Sequence, residues 1–145
     1  MTRAPAARSD RGSASVELAV VAPAVLALIA ALFIGGRVNL ARQSIEAAAF
    51  DAARTASLAR DASTAQAEAT AAANSTLDAQ GLSCSSLTVT ISTQGFAVPV
   101  GEPATVTATL TCQATFADVA LPGMPGSAPL TASFTSPLDQ YRSRG

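Results

Sequence analysis

Side-chain catalysis near neutral pH needs a group that can shuttle a proton or be activated as a nucleophile, and these 145 residues offer almost none. Histidine and lysine are absent, so all nine basic side chains are arginines, which stay charged and act neither as a general base nor as an amine nucleophile. No serine sits in a Gly-x-Ser-x-Gly elbow, the acidic residues are scattered, and no glycine-rich phosphate loop is present. The chain reads as a non-enzyme with no cofactor. A net charge of −1 gives no electrostatic case for nucleic acid either.

Two chemical features remain. The first is Glu17, which stands at the edge of an uncharged run, Leu18 to Gly36, whose only helix breaker is Pro23. At 1.5 Å per residue that run spans about 28 Å as a helix, close to the hydrocarbon thickness of a bilayer. A carboxylate beside such a segment is costly to bring into lipid and calls for a purpose. The second is a pair of cysteines, Cys84 and Cys112, with no histidine anywhere to complete a zinc site. They are either two buried thiols or a disulfide. The disulfide is favoured, because an apolar anchor delivers the distal half to an oxidising compartment if the N-terminus stays inside.

The apolar run reads as an anchor rather than a cleaved secretory signal. It is longer than a usual signal core, and Ala22-Pro23-Ala24, its small-residue site, lies inside the run. Charge alone does not orient it: Arg3, Arg8 and Arg11 precede it, and Arg37, Arg42 and Arg54 follow. The cysteines favour a single-pass plasma-membrane protein with its N-terminus cytoplasmic and its C-terminal domain outside.

Several elements must position these groups. After a polar leader, residues 1–12, the pattern predicts a helix from Ser13, whose hydroxyl can cap the first turn, to about Arg60. Glu17 then falls near the positive end of the helix dipole, and Pro23 marks a kink within the membrane span. Beyond the span, Ile45, Ala48, Ala52, Ala56 and Ala59 recur at spacings of three and four. This small-residue stripe suits close packing against another helix, or else belongs to a solvated stalk. A second helix is expected over Ser63 to Gln80, ended by Gly81 within a 61–81 segment.

The period then changes. Leu87, Val89 and Ile91 alternate with hydroxyl residues, as do Val106, Ala108, Leu110, Cys112, Ala114 and Phe116. The Gly/Pro-marked stretch Gln94 to Pro103 joins them as an antiparallel pair, which brings Cys84 near Cys112. Leu121 to Pro129 reads as an irregular loop, followed by a short third strand carrying Leu130, Ala132 and Phe134. The fold class is therefore α+β: a long N-terminal transmembrane helix continuing outside, then a small antiparallel sheet over residues 82–136. A frayed tail follows over 137–145. With so many alanines and so few large side chains the core must be thin, and a disulfide is a useful supplement.

Gly12 is followed by Ser13-Ala14-Ser15-Val16-Glu17, a glutamate five residues beyond a glycine and directly before the apolar run. This resembles the type IV prepilin signal. With Val16-Glu17-Leu18-Ala19, Pro23 and the downstream block from Glu46 to Arg54, residues 11 to 60 resemble the TadE family, pseudopilin-like proteins of the tight-adherence (Flp) pilus machinery. The resemblance implies cleavage after Gly12 by a prepilin peptidase, with Ser13 as the new N-terminus. It also implies that Glu17 pairs with the freed amine of a neighbouring pilin or pseudopilin subunit or binds the assembly platform. The rival from the residues alone is a signal-anchored extracytoplasmic binding module unrelated to pili.

Overall fold

The computed structural model describes residues 11–116, 126–139 and 141, with side chains from Val16 onward. Helix α1 covers Arg11–Leu58 and α2 covers Ala62–Ala79, followed by strands β1 (Cys84–Ile91), β2 (Thr105–Thr115) and β3 (Ser127–Pro137). The strands form one antiparallel sheet in the order β1-β2-β3. The fold is α+β, with a long apolar N-terminal helix ahead of a second helix and a three-stranded sheet. The chain divides into two compact units, Met1–Arg37 and Val38–Gly145.

In the second unit the two periods meet in one core. On β2, Val106, Ala108, Leu110, Cys112 and Ala114 are buried, while the intervening threonines face away from the core. Side chains alternate across a strand, so the hydroxyl residues collect on the opposite face. There Thr107 pairs with Thr135 at 2.9 Å, Thr109 with Ser133 at 3.1 Å and Thr111 with Thr131 at 3.5 Å.

Helices supply the other half of the core through alanine. Ile45, Ala48, Ala52, Ala56 and Ala59 are all buried, joined by Ala41, Ala49 and Ala53. The stripe is therefore neither a solvated stalk nor a face kept for another chain. From Val38 onward α1 packs within its own domain. Ala65, Ala69, Ala73 and Leu77 do the same for α2 at a strict four-residue spacing. The two helices are tied by Thr76, whose hydroxyl donates to Asp51 at 2.8 Å. Of the side chains that are fully buried, Ile45, Leu110, Val106 and Cys112 are the largest, so the core is as thin as the composition requires.

Local chemistry sets the ends of α2. Asp61 caps its start, accepting from the Thr64 amide at 2.8 Å and from the Thr64 hydroxyl at 2.8 Å. At the far end Gly81 takes φ +68°, with Leu82 N donating to Leu77 O at 3.0 Å and Gly81 N to Asp78 O at 3.1 Å. This is a Schellman cap, which needs the left-handed conformation that glycine adopts without strain.

The third strand is longer than its sequence pattern predicts. β3 starts at Ser127 and ends at Pro137, so Pro129 belongs to the strand instead of the loop, and Pro137 to the strand instead of the tail. Proline is tolerated there because β3 is an edge strand and both prolines sit where the missing N–H faces away from β2. The polar tail also begins later than expected: Leu138 is buried and donates its amide to Ala104 O at 2.8 Å. Of the expected loop, residues 121–125 lie outside the described residues, as do 140 and 142–145 of the tail.

Candidate functional site

Glu17 and the apolar run occupy the first unit. Helix α1 is already formed at Arg11, the first residue described, and carries Gly12 and Ser13 within it, so Ser13 is not its cap. Glu17 consequently lies beyond the first turn, which holds no acidic residue. The dipole's influence fades within one turn, so first-turn placement does not account for this carboxylate in the uncleaved chain. Its side chain is exposed, as are Val16, Leu18, Val20, Leu26, Leu28, Ile29, Leu32 and Phe33. Helical structure continues through Pro23, which withholds one backbone donor and leaves the Ala19 carbonyl without its usual partner a turn later. α1 is the one helix, among the described residues, that is long and apolar enough to cross a membrane.

Cys84 and Cys112 form a disulfide, with Cα atoms 5.5 Å apart. Its geometry depends on a β-bulge. Leu87 through Ile91 pair with Cys112 through Ala108 in one register, but Cys84 pairs with Ala114, one step out of it. Without that slip Cys84 would stand opposite Thr115, on the hydroxyl face. The extra residue moves it to the core face, beside the buried Cys112. Alternation in the sequence brings the two strands together, but nothing in it announces the bulge.

The Asp61 carboxyl is held down at about 2 by the hydrogen bonds from the Ser63 side chain and from the Thr64 amide and hydroxyl, a capping effect on a half-exposed residue. Among the described residues no cluster of three or more His, Cys, Asp or Glu side chains could hold a metal ion.

One polar contact escapes the sequence altogether. Gln66 on α2 reaches β1, donating from Nε2 to Val89 O at 3.0 Å and accepting at Oε1 from Ile91 N at 3.2 Å. Its amide thus mimics a neighbouring strand. A glutamine on a helix carries no local signal for that role, since its partner lies 25 residues away.

A bare apolar helix and a small disulfide-closed α+β domain define a class: among the described residues, one candidate membrane span followed in sequence by a compact domain. The segment that carries the span is more specific. Residues 12–54 match the model of the TadE-like protein family. This N-terminal segment is thus TadE-like, and it contains Gly12, Ser13, Glu17 and Pro23 together with the block from Glu46 to Arg54. The match suggests a component associated with the Tad pilus, and leaves α2 and the sheet outside it. No curated protein and no solved structure matches the chain.

Proposed function

We propose that this chain is a non-enzymatic, membrane-anchored assembly component, a minor pseudopilin of a Tad/Flp-type pilus or secretion apparatus. The observation that carries this reading is the TadE-like match across residues 12–54, laid over a helix whose apolar surface is uncovered. A prepilin peptidase cuts after Gly12, Ser13 becomes the N-terminus, and Glu17 becomes the fifth residue of the mature chain. In lipid, Glu17 then pairs with the freed amine of a neighbouring pilin or pseudopilin subunit, or binds the assembly platform. Pairing offsets the desolvation of both groups and supplies the reason for keeping a carboxylate beside a membrane span. The Cys84–Cys112 disulfide supports an N-terminus in the cytoplasm and a domain outside the plasma membrane, where an oxidising environment preserves it.

Two measurements test this. Intact mass of the protein from its native membrane is expected to show loss of residues 1–12 and an oxidised cysteine pair, with Gly12→Leu blocking the processing. Glu17→Ala is expected to insert normally and fail to assemble. Normal assembly of that variant, or an uncleaved wild-type chain, refutes the assignment and favours an anchored module of another kind.

A further inference from the structure

The bond that the pseudopilin reading assigns to the peptidase lies inside a helix. α1 is continuous from Arg11 to Leu58, so Gly12, Ser13, Ala14 and Ser15 all hold helical backbone. In that geometry each carbonyl accepts from the amide four residues on, and the Gly12 carbonyl takes the Val16 N–H. Hydrolysis adds water across the Gly12–Ser13 peptide, leaving a carboxylate on Gly12 and an ammonium on Ser13. A peptidase speeds that attack by aiming its own hydrogen-bond donors at the carbonyl oxygen where negative charge develops. In the intact helix that oxygen is already in use.

Opening this turn is local. Among the described residues α1 is the one element of the Met1–Arg37 unit, so no other element has to move with it. Gly12, Ser13 and Ser15 are weaker helix formers than alanine. The run from Leu18 to Ile34 is instead built of alanine, leucine, valine, isoleucine and phenylalanine around Pro23. Backbone groups freed within that run would meet lipid, which cannot hydrogen-bond them, whereas residues 12–15 precede it and can be hydrated. Unwinding is therefore cheapest at the bond to be cut.

We propose that α1 unwinds over residues 12–15 before cleavage, and that the helix preference of positions 14 and 15 sets the rate of processing. This rests on the pseudopilin reading and deepens it. Ala14 and Ser15 are positioning residues, because they act by holding or releasing the Gly12 carbonyl. Helices relax within about a microsecond, whereas enzymes turn over about 1–10³ times per second. Opening is thus a pre-equilibrium, and a change in the open fraction passes in full to the rate at limiting substrate.

The test is pulse-labelling of the full-length chain, expressed at a low level in its native host, with loss of residues 1–12 followed in time. Ala14→Gly with Ser15→Gly should speed processing about tenfold, and Ser15→Ala should slow it about twofold. Ala14→Thr with Ser15→Thr discriminates backbone from side-chain size: threonine is bulkier than either native residue but a poorer helix former than alanine, so processing should quicken about threefold. Exchange of the Val16 amide, measured on unprocessed chains purified from a host without prepilin peptidase, should change by the same factors. Slower cleavage of the threonine pair overturns the inference, as do a rate indifferent to all these changes, Val16 exchange that does not follow the rates, or a wild-type Val16 amide that exchanges as in an unfolded chain. Each of those results leaves the pseudopilin reading standing. A wild-type chain that keeps residues 1–12 refutes that reading, and this inference with it.

Discussion

Replacing Ala52 with leucine tests whether the alanine stripe of α1 belongs to the domain's own core. Ala52 is fully buried, and Ala48, Ala49, Ala53 and Ala56 around it are equally inaccessible. Leucine adds three carbons to a site with no free surface, so the helix must shift or neighbouring side chains must leave their preferred rotamers. Overpacking of this kind costs about 1–3 kcal/mol, and we take about 2 kcal/mol here. Because β2 lies in the same core, that loss should raise the exchange of its protected amides about 30-fold. The assay is hydrogen exchange on the full chain in mild detergent, with Ala67→Leu on the exposed side of α2 as the control expected to change little. Suppose instead that Ala52→Leu left β2 exchange within twofold of wild type and weakened association between subunits. The stripe would then be an intersubunit face, and α1 would not pack within its own domain.

Three further outcomes follow from the same geometry. Replacing both cysteines with alanine should cost about 3–4 kcal/mol, from the chain entropy released when the loop between residues 84 and 112 is opened, and is read by chemical denaturation against the oxidised wild type. Asp61 has its carboxyl lowered from 3.8 to about 2, so its capping contribution is complete above about pH 4 and disappears as pH falls through 2; Asp61→Asn keeps a cap but should flatten the acid dependence of α2 helicity. Gln66→Leu strands the Val89 carbonyl and the Ile91 amide, which should cost about 1–2 kcal/mol and speed exchange at Ile91 more than at Thr90, whose amide bonds to β2.

Where periodicity is strong, the elements are legible in the residues alone. The 3.6-residue recurrence of Ile45, Ala48, Ala52, Ala56 and Ala59 and the two-residue recurrence from Val106 to Phe116 predict a helix and a strand, and both faces are buried. Gly81 signals the end of α2 because its left-handed conformation has a residue-specific cost. Periodicity reports that a face is apolar without saying what covers it. Hence the stripe suggests another helix or a stalk; its burial excludes the stalk, and the cover comes from its own domain, α2 included. Proline misleads at 129 and 137, because its effect depends on whether the missing N–H would have met β2, a fact of topology. The bulge that turns Cys84 inward and the reach of Gln66 to β1 are long-range consequences with no local pattern. Glu17 is legible only as an anomaly beside an apolar run.

That anomaly has sharpened. In the uncleaved chain α1 already contains Gly12 and Ser13, so Glu17 stands past its first turn and regains the dipole's reach only when cleavage after Gly12 makes Ser13 the N-terminus. The alanine stripe, the other surface suited to close helix packing, is consumed within the second unit. On the pseudopilin reading, helix contacts with neighbouring subunits must then come from the apolar stretch between Val16 and Arg37, where the large side chains are uncovered. Packing of apolar side chains in lipid is weakly directional, because the lipid is as apolar as they are. A single carboxylate at the edge of such a stretch, held by a fixed amine on the next chain, supplies the register that packing alone lacks. The same burial that gives α1 to its own domain therefore increases the demand placed on Glu17.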